Sequence, residues 1–307
     1  MSAVSYTTAQ LLRVLPRARI GRAIGLLADS HWPMPIGRAV VALYSRAYDV
    51  SLAECADPGD PGGWSSFDAF FTRRLREGAR AIDPDPRSIV SPADGRIESM
   101  AAIEAGGSFF VKGRPYSVRE LVGDPESARR FEGGMGFVVY LSPRDYHRVH
   151  SPVSGQIRRI LSLPGDYFPV NAIGLRHVPN LFCRNRRVAI EIDADQGLGR
   201  VTVVMVVAMI VGRITTAGTG AGDVPIGAHP FDPPLHVARG EEIGAFHLGS
   251  TAVVLVEKRA SGVWRSARAS WEGSHANVRF GEALLRAPSG PVLVARSRDG
   301  VPDRGIG

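Results

Sequence analysis

The stretch GAFHLGSTAVVLVEK, residues 244–258, decides how the fold is read. Ala252 to Val256 are consecutively apolar and rich in valine, the pattern of a buried strand. Gly244 to Leu248 reads as its partner, and Gly249, Ser250 and Thr251 as the turn of a hairpin, where glycine and serine are ordinary residues. The competing reading is that the bond before Ser250 is meant to break. Local pattern leaves both open.

Outward from this stretch, the runs FFVKGRPYSV, GFVVYLS, RVAIEID and RVTVVMVVAMIVGRITT are strand-like, rich in valine and isoleucine and separated by turn residues. SVRELVGD fits a short helix, with Ser117 and Glu120 spaced as a capping box. VPNLFCRN, residues 178–185, reads as an exposed loop. Toward the N-terminus, ADPGDPGGWSS marks a boundary near residues 56–65. Before it, residues 1–50 carry six arginines against two aspartates, and Pro16, Pro33 and Pro35 cut the segment into short amphipathic helices. Such helices lie in a membrane interface or cap a protein core. Residues 297–307 read as a frayed polar tail. The fold expected is α+β: a mainly antiparallel β body, sandwich- or barrel-like, behind an N-terminal layer of short amphipathic helices over residues 1–60.

The 307 residues carry a net charge of +7, nearly all of it arginine, since Lys112 and Lys258 are the two lysines. That balance suits anionic partners such as phospholipid headgroups or nucleic acid. No aromatic stacking motif or helix-turn-helix pattern accompanies it, which argues against nucleic acid. Cys55 and Cys183 form no metal or redox pattern, so a reducing compartment is the default. No signal peptide is expected. The longest apolar run, Val201 to Gly212, is about half of what a spanning helix needs.

Reactive residue types concentrate in SPADG, with Asp94, and in YLSPRDYHRVHSP, with His147 and His150. Two histidines three apart lack the third and fourth ligands of a metal site, so no metal is expected. They are better placed as proton carriers. Ser250 is not in a GxSxG elbow, and spacing alone does not bring Asp, His and Ser together.

FFTRRLREGARAID, SPADG, YLSPRDYHRVHSP, GDYFPVN, VPNLFCRNRRV and LGST occur in the order found in phosphatidylserine decarboxylase proenzymes. From about Ser66 to Val256 the chain resembles that family. The resemblance implies that Ser250 Oγ attacks the Gly249 carbonyl, giving an ester that eliminates to dehydroalanine and hydrolyses to a pyruvoyl group and ammonia. Residues 1–249 would become the β chain, with 61–249 as catalytic body. Residues 250–307 would become an α chain that completes the same domain. Carried over residue by residue, Asp94, His150 and Ser250 form the charge relay for self-cleavage. His147 serves proton transfer or positioning in decarboxylation. The pyruvoyl group made from Ser250 is the only cofactor implied, forming a Schiff base with the substrate amine. Phosphatidylserine in an anionic membrane is the implied partner, converted to phosphatidylethanolamine and CO2. The location implied is peripheral, on the cytoplasmic face of the cell membrane. The cleaved chains would stay together as a heterodimer, a higher homo-oligomer being left open. Other readings are a pyruvoyl enzyme for a different amine-bearing carboxylate and a non-enzymatic lipid-binding relative. Arg186, Val207 and Met209 depart from the family's common residues, outside the relay motifs. Arg144 is a candidate for the headgroup phosphate.

Overall fold

The computed structural model describes residues 17–59, 63–209, 213–259, 263–268 and 276–287. Three helices open it: α1 (Arg17–Asp29), α2 (Met34–Tyr48) and α3 (Phe67–Phe71). Strands follow as β1 (Ser88–Val90), β2 (Gly95–Ala102), β3 (Ser108–Val111) and β4 (Arg114–Ser117), then helices α4 (Val118–Val122) and α5 (Pro125–Arg129). Next come β5 (Met135–Leu141), β6 (Arg148–His150) and β7 (Gly155–Leu163), and helices α6 (Ala172–His177) and α7 (Leu181–Arg184). The remaining strands are β8 (Arg187–Ala194), β9 (Gly199–Val207), β10 (Arg213–Thr216), β11 (Gly227–Val237), β12 (Glu242–His247), β13 (Ser250–Val256), β14 (Arg265–Ser266), β15 (Asn277–Val278) and β16 (Ala283–Arg286).

An eight-stranded antiparallel sheet, in the order β11-β7-β8-β9-β13-β5-β2-β15, forms the body. Two three-stranded sheets, β1-β16-β14 and β10-β12-β6, and the hairpin β3-β4 complete it. The architecture is α+β and sandwich-like, and no sheet closes into a barrel.

Strand β13 is buried at all seven positions and pairs with β5 on one side and β9 on the other. A strand with both faces and both edges covered reads as continuous apolar sequence, which is why residues 252–256 lack alternation. The hairpin expected with residues 244–248 does not form. Strand β12 belongs to another sheet, pairing with β10 and β6. Leu248 and Gly249 therefore carry the chain from one sheet into the centre of the next. Both take left-handed backbone, with φ of 80° and 42°.

VPNLFCRN is also corrected: α7 occupies it and buries Leu181 and Phe182. The helix over SVRELVGD forms as expected, with the Ser117 side chain accepting from Glu120 N. The run from Val201 ends as a strand at Val207, and Ile210 to Gly212 lie outside the described residues, as does the tail at 297–307.

The two amphipathic helices have a structural signature. Pro33 caps α2, and the helix buries none of its residues. Leu26, Leu27, Ile36 and Leu43 are 68%, 59%, 54% and 71% exposed. Tyr44 anchors the layer, its ring meeting Phe67 and Phe71 edge-on while its hydroxyl donates to Pro143 O at 3.1 Å. Among the described residues no helix is long and apolar enough to cross a membrane.

Candidate active site

Ser250 begins β13, opposite Leu141 of β5 and Val207 of β9. It is 1% exposed, and among the described residues its hydroxyl has no hydrogen-bond partner. A buried hydroxyl left unpaired costs about 1–3 kcal/mol, and such groups persist chiefly where chemistry needs them. At Gly249 a Cβ would meet open space, so the glycine is required for its positive φ and not for room. Leu248 takes the same region without that freedom, storing about 1 kcal/mol of strain beside the Gly249–Ser250 bond.

An apolar cleft of about 290 Å³ opens onto this turn, lined by Leu27, Tyr44, Phe71, Met209, Leu248 and Gly249 among others. It forms where the helical layer meets the β body. Two of the departures from the family pattern therefore lie at the site: Val207 faces Ser250 across the sheet, and Met209 lines the cleft. The third, Arg186, is buried and pairs with Asp223 at 3.0 Å.

His147 lies in the loop after β5. Its carbonyl accepts from Phe246 N, at the end of the strand that leads into the turn. Its ring packs on Phe71 with centroids 4.0 Å apart and planes tilted by 40°, and it is fully buried. Nδ1 lies 2.8 Å from the Asp145 carbonyl and must carry the proton, since a carbonyl only accepts. Nε2 is then a bare lone pair, and it has no partner. Burial first, and the Arg73 charge second, push its pKa down to about 3.

His150 is held differently. Nδ1 donates to Gly240 O at 2.8 Å, Nε2 accepts from the Tyr146 hydroxyl at 3.1 Å, and the ring lies flat on Phe280 at 3.8 Å. Burial lowers its pKa as well. Asp94 accepts from Phe280 N at 2.9 Å and from Arg80, whose Nη2 approaches at 2.5 Å. Glu54 takes the same guanidinium at 2.9 Å. Phe280 thus stands between Asp94 and His150, bonded to one through its backbone and stacked on the other. Among the described residues no hydrogen bond joins Asp94 to His150 or His150 to Ser250. The β6–β12 register sets His150 opposite Glu242, whereas His147 meets Phe246, four residues before Ser250.

Several site residues are not visible as such in the sequence. Tyr146 holds His150, and Arg80 holds Asp94. His247, two residues before Gly249, donates from Nδ1 to the buried Asp68 at 2.8 Å, while its Nε2 meets Thr215 Oγ1 at 3.2 Å. Arg213 joins Asp68 at 2.9 Å and also pairs with Asp29 at the end of α1. A chain of charged contacts therefore runs from the helical layer to the turn. Arg144, the headgroup candidate, is half-exposed and lies 3.9 Å from Asp145.

The family model described as phosphatidylserine decarboxylase matches residues 67–286. A phosphatidylserine decarboxylase proenzyme of Acinetobacter baumannii is 42% identical over 249 residues, covering 80% of this chain and 85% of that one. Its namesake from Azotobacter vinelandii is 37% identical over 285 residues, covering 89% of this chain and 96% of the relative.

Proposed function

The chain belongs to the phosphatidylserine decarboxylase family, and on that premise we propose that it is a proenzyme that cuts itself between Gly249 and Ser250 and then decarboxylates phosphatidylserine. One observation carries the reading: a buried, unpartnered serine hydroxyl directly follows two left-handed residues at the mouth of an apolar cleft.

In self-cleavage Ser250 Oγ adds to the Gly249 carbonyl carbon, the C–N bond breaks, and an ester replaces the amide. The Leu248–Gly249 strain is relieved as that bond opens. Asp94, His150 and Ser250 act as the relay in this proposal. For that, His150 Nε2 must exchange the Tyr146 hydroxyl for that of Ser250, and Asp94 must turn an oxygen from Arg80 toward the imidazolium. Loss of the Ser250 Cα proton with elimination of the ester, followed by hydrolysis, leaves a pyruvoyl group at residue 250. The site fits such a group: a planar ketone there gives up no hydrogen bond, because the hydroxyl it replaces makes none. The group supplies an electrophilic carbonyl and an electron sink for the charge left when CO2 departs.

The chain's own residues supply the rest. Tyr44, Phe71 and Leu248 exclude water from the turn and take the apolar part of the substrate. His147, tied through its carbonyl to Phe246 in the strand that leads into the turn, offers Nε2 as an acceptor. The exposed leucines of α1 and α2, on a basic segment, suit the surface of an anionic bilayer. That placement spares a diacyl lipid the cost of leaving the membrane, about 0.8 kcal/mol per CH2.

Intact-mass spectrometry of the purified full chain under denaturing conditions tests this reading. Two species separated at Gly249–Ser250, the smaller blocked by pyruvoyl, are expected, with decarboxylation of phosphatidylserine vesicles. A single chain persisting after incubation with anionic vesicles would overturn it.

A further inference from the structure

Three arginines are buried among the described residues: Arg73, Arg186 and Arg187. Arg186 has a carboxylate, Asp223. Arg187 directs its donors at the carbonyls of Glu120, Leu121, Cys183 and Asn185. Arg73 is built otherwise. Its Nη2 donates to Arg144 O at 3.1 Å and Asp145 O at 3.3 Å, and Cζ lies 5.3 Å from the Phe70 ring centroid. Nε and Nη1 are buried without partners, and among the described residues no carboxylate meets the guanidinium. An uncompensated buried charge is costly, so its position needs a reason.

The reason lies in the Asp145 carbonyl. One of its lone pairs takes the His147 Nδ1 proton at 2.8 Å, and the other takes Arg73 Nη2. The cation and the ring are thereby held side by side on one oxygen. The acids that could neutralise the pair are turned elsewhere. The Asp145 carboxylate accepts from Ser142 N and Oγ, both at 2.7 Å. Asp68, on α3, is taken by His247 and Arg213, and Glu242, on β12, by Arg148. Phe71 covers the ring face.

We propose that Arg73 is a positioning residue for His147: clamped on the Arg144 and Asp145 carbonyls, it fixes the ring as the Nδ1–H tautomer and keeps it uncharged, so that Nε2 remains an acceptor for the substrate's ammonium group. The role of Nε2 rests on the function proposed above; the clamp and the charge do not. A like charge this close shifts a titration by about one pH unit or more.

The test uses the full chain carrying Ser250→Ala, with ¹⁵N-labelled histidine read by NMR and His147 assigned by its loss in His147→Gln. His147 is expected as the Nδ1–H tautomer, neutral at pH 5. A ring charged at pH 5, or protonated at Nε2, overturns the proposal with no Arg73 variant needed. Adding Arg73→Gln should raise its titration by about one unit or more, and Arg73→Lys, which keeps the charge, by less than half of that. An unchanged titration in Arg73→Gln likewise overturns it. In the processed enzyme, with Ser250 intact, the acid limb of vesicle decarboxylation should move upward in pH in Arg73→Gln and return toward the parent in Arg73→Lys. Unimpaired decarboxylation by His147→Gln would instead remove the role given to Nε2, leaving the NMR result to decide the clamp.

Discussion

Replacing Ser250 with alanine should make the uncleaved protein more stable. The hydroxyl is 1% exposed and makes no hydrogen bond, so the folded state carries its desolvation uncompensated, about 1–3 kcal/mol. Alanine removes that penalty and loses only the dispersion contacts of one oxygen, a few tenths of a kcal/mol. The net gain is about 1 kcal/mol or more, which at about 2.1 cal/mol/K of unfolding entropy per residue raises Tm in a chain of this size by about 1.5 °C or more. Because the unsubstituted chain is expected to cut itself, the comparison needs an uncleaved background. Asp94→Asn supplies one, and Asp94 shares no partner with Ser250, so the two changes should add. Asp94→Asn and Asp94→Asn/Ser250→Ala would be compared by thermal unfolding after intact-mass spectrometry confirms 307-residue chains. A lower Tm in the double variant would refute the reasoning, because it would mean that the hydroxyl is bonded in the precursor. Cleavage of the Asp94→Asn chain at the parent rate would refute the relay.

Gly95→Ala should disrupt the sheet beside Asp94, since its Cβ would fall 2.4 Å from Tyr140 O, a backbone atom that cannot yield without shifting the β2–β5 register. We expect a loss of about 1–3 kcal/mol in urea unfolding, and a stability within 0.5 kcal/mol of the parent by the same assay would contradict the close approach. His247→Ala unties the strand before the turn from Asp68. One buried bond to a charged group is worth about 1.5–3 kcal/mol, and if half of that is realised at the turn, self-cleavage slows about three- to tenfold on a gel time course; an unchanged half-time would count against the contact. Leu27→Asp with Leu43→Asp, at positions 59% and 71% exposed, should leave unfolding unchanged and weaken sedimentation with phosphatidylserine vesicles at least tenfold, at about 1.5–3 kcal/mol per buried leucine. Undiminished vesicle binding would move the membrane face elsewhere.

What the sequence made legible, and what it hid, divides along one physical line. Strand β13 was readable because burial leaves a compositional trace, and the N-terminal layer because helix-breaking prolines mark where its helices begin. Pairing leaves no such trace. Strands β12 and β13 are two residues apart and look like a hairpin, yet five consecutive apolar residues, Ala252 to Val256, with no alternation already demand cover on both faces. A hairpin partner alone would not have met that demand, but composition does not say which strands supply the cover, and only the fold places β5 and β9 there. Helix α7 hid for a different reason: four residues are too few for a 3.6-residue period to show.

Ionisable side chains were hardest of all. Asp94, His147, His150 and Ser250 stood out through resemblance, but the arginines around them did not. Arg73 and Arg80 are two among 37 basic residues, and no local pattern separates a paired guanidinium from an unpaired one. The difference is one of tertiary company. Among the described residues Arg80 meets Asp94 and Glu54, whereas Arg73 meets carbonyls and an aromatic ring and no carboxylate. That contrast assigns opposite electrostatic tasks to neighbouring arginines of one sequence motif. The paired guanidinium is held by the Asp94 and Glu54 carboxylates, and the unpaired one disfavours an ionised His147. A site that needs both a carboxylate and a neutral imidazole in the same few turns of chain obtains them by giving one arginine its counterions and withholding them from the other.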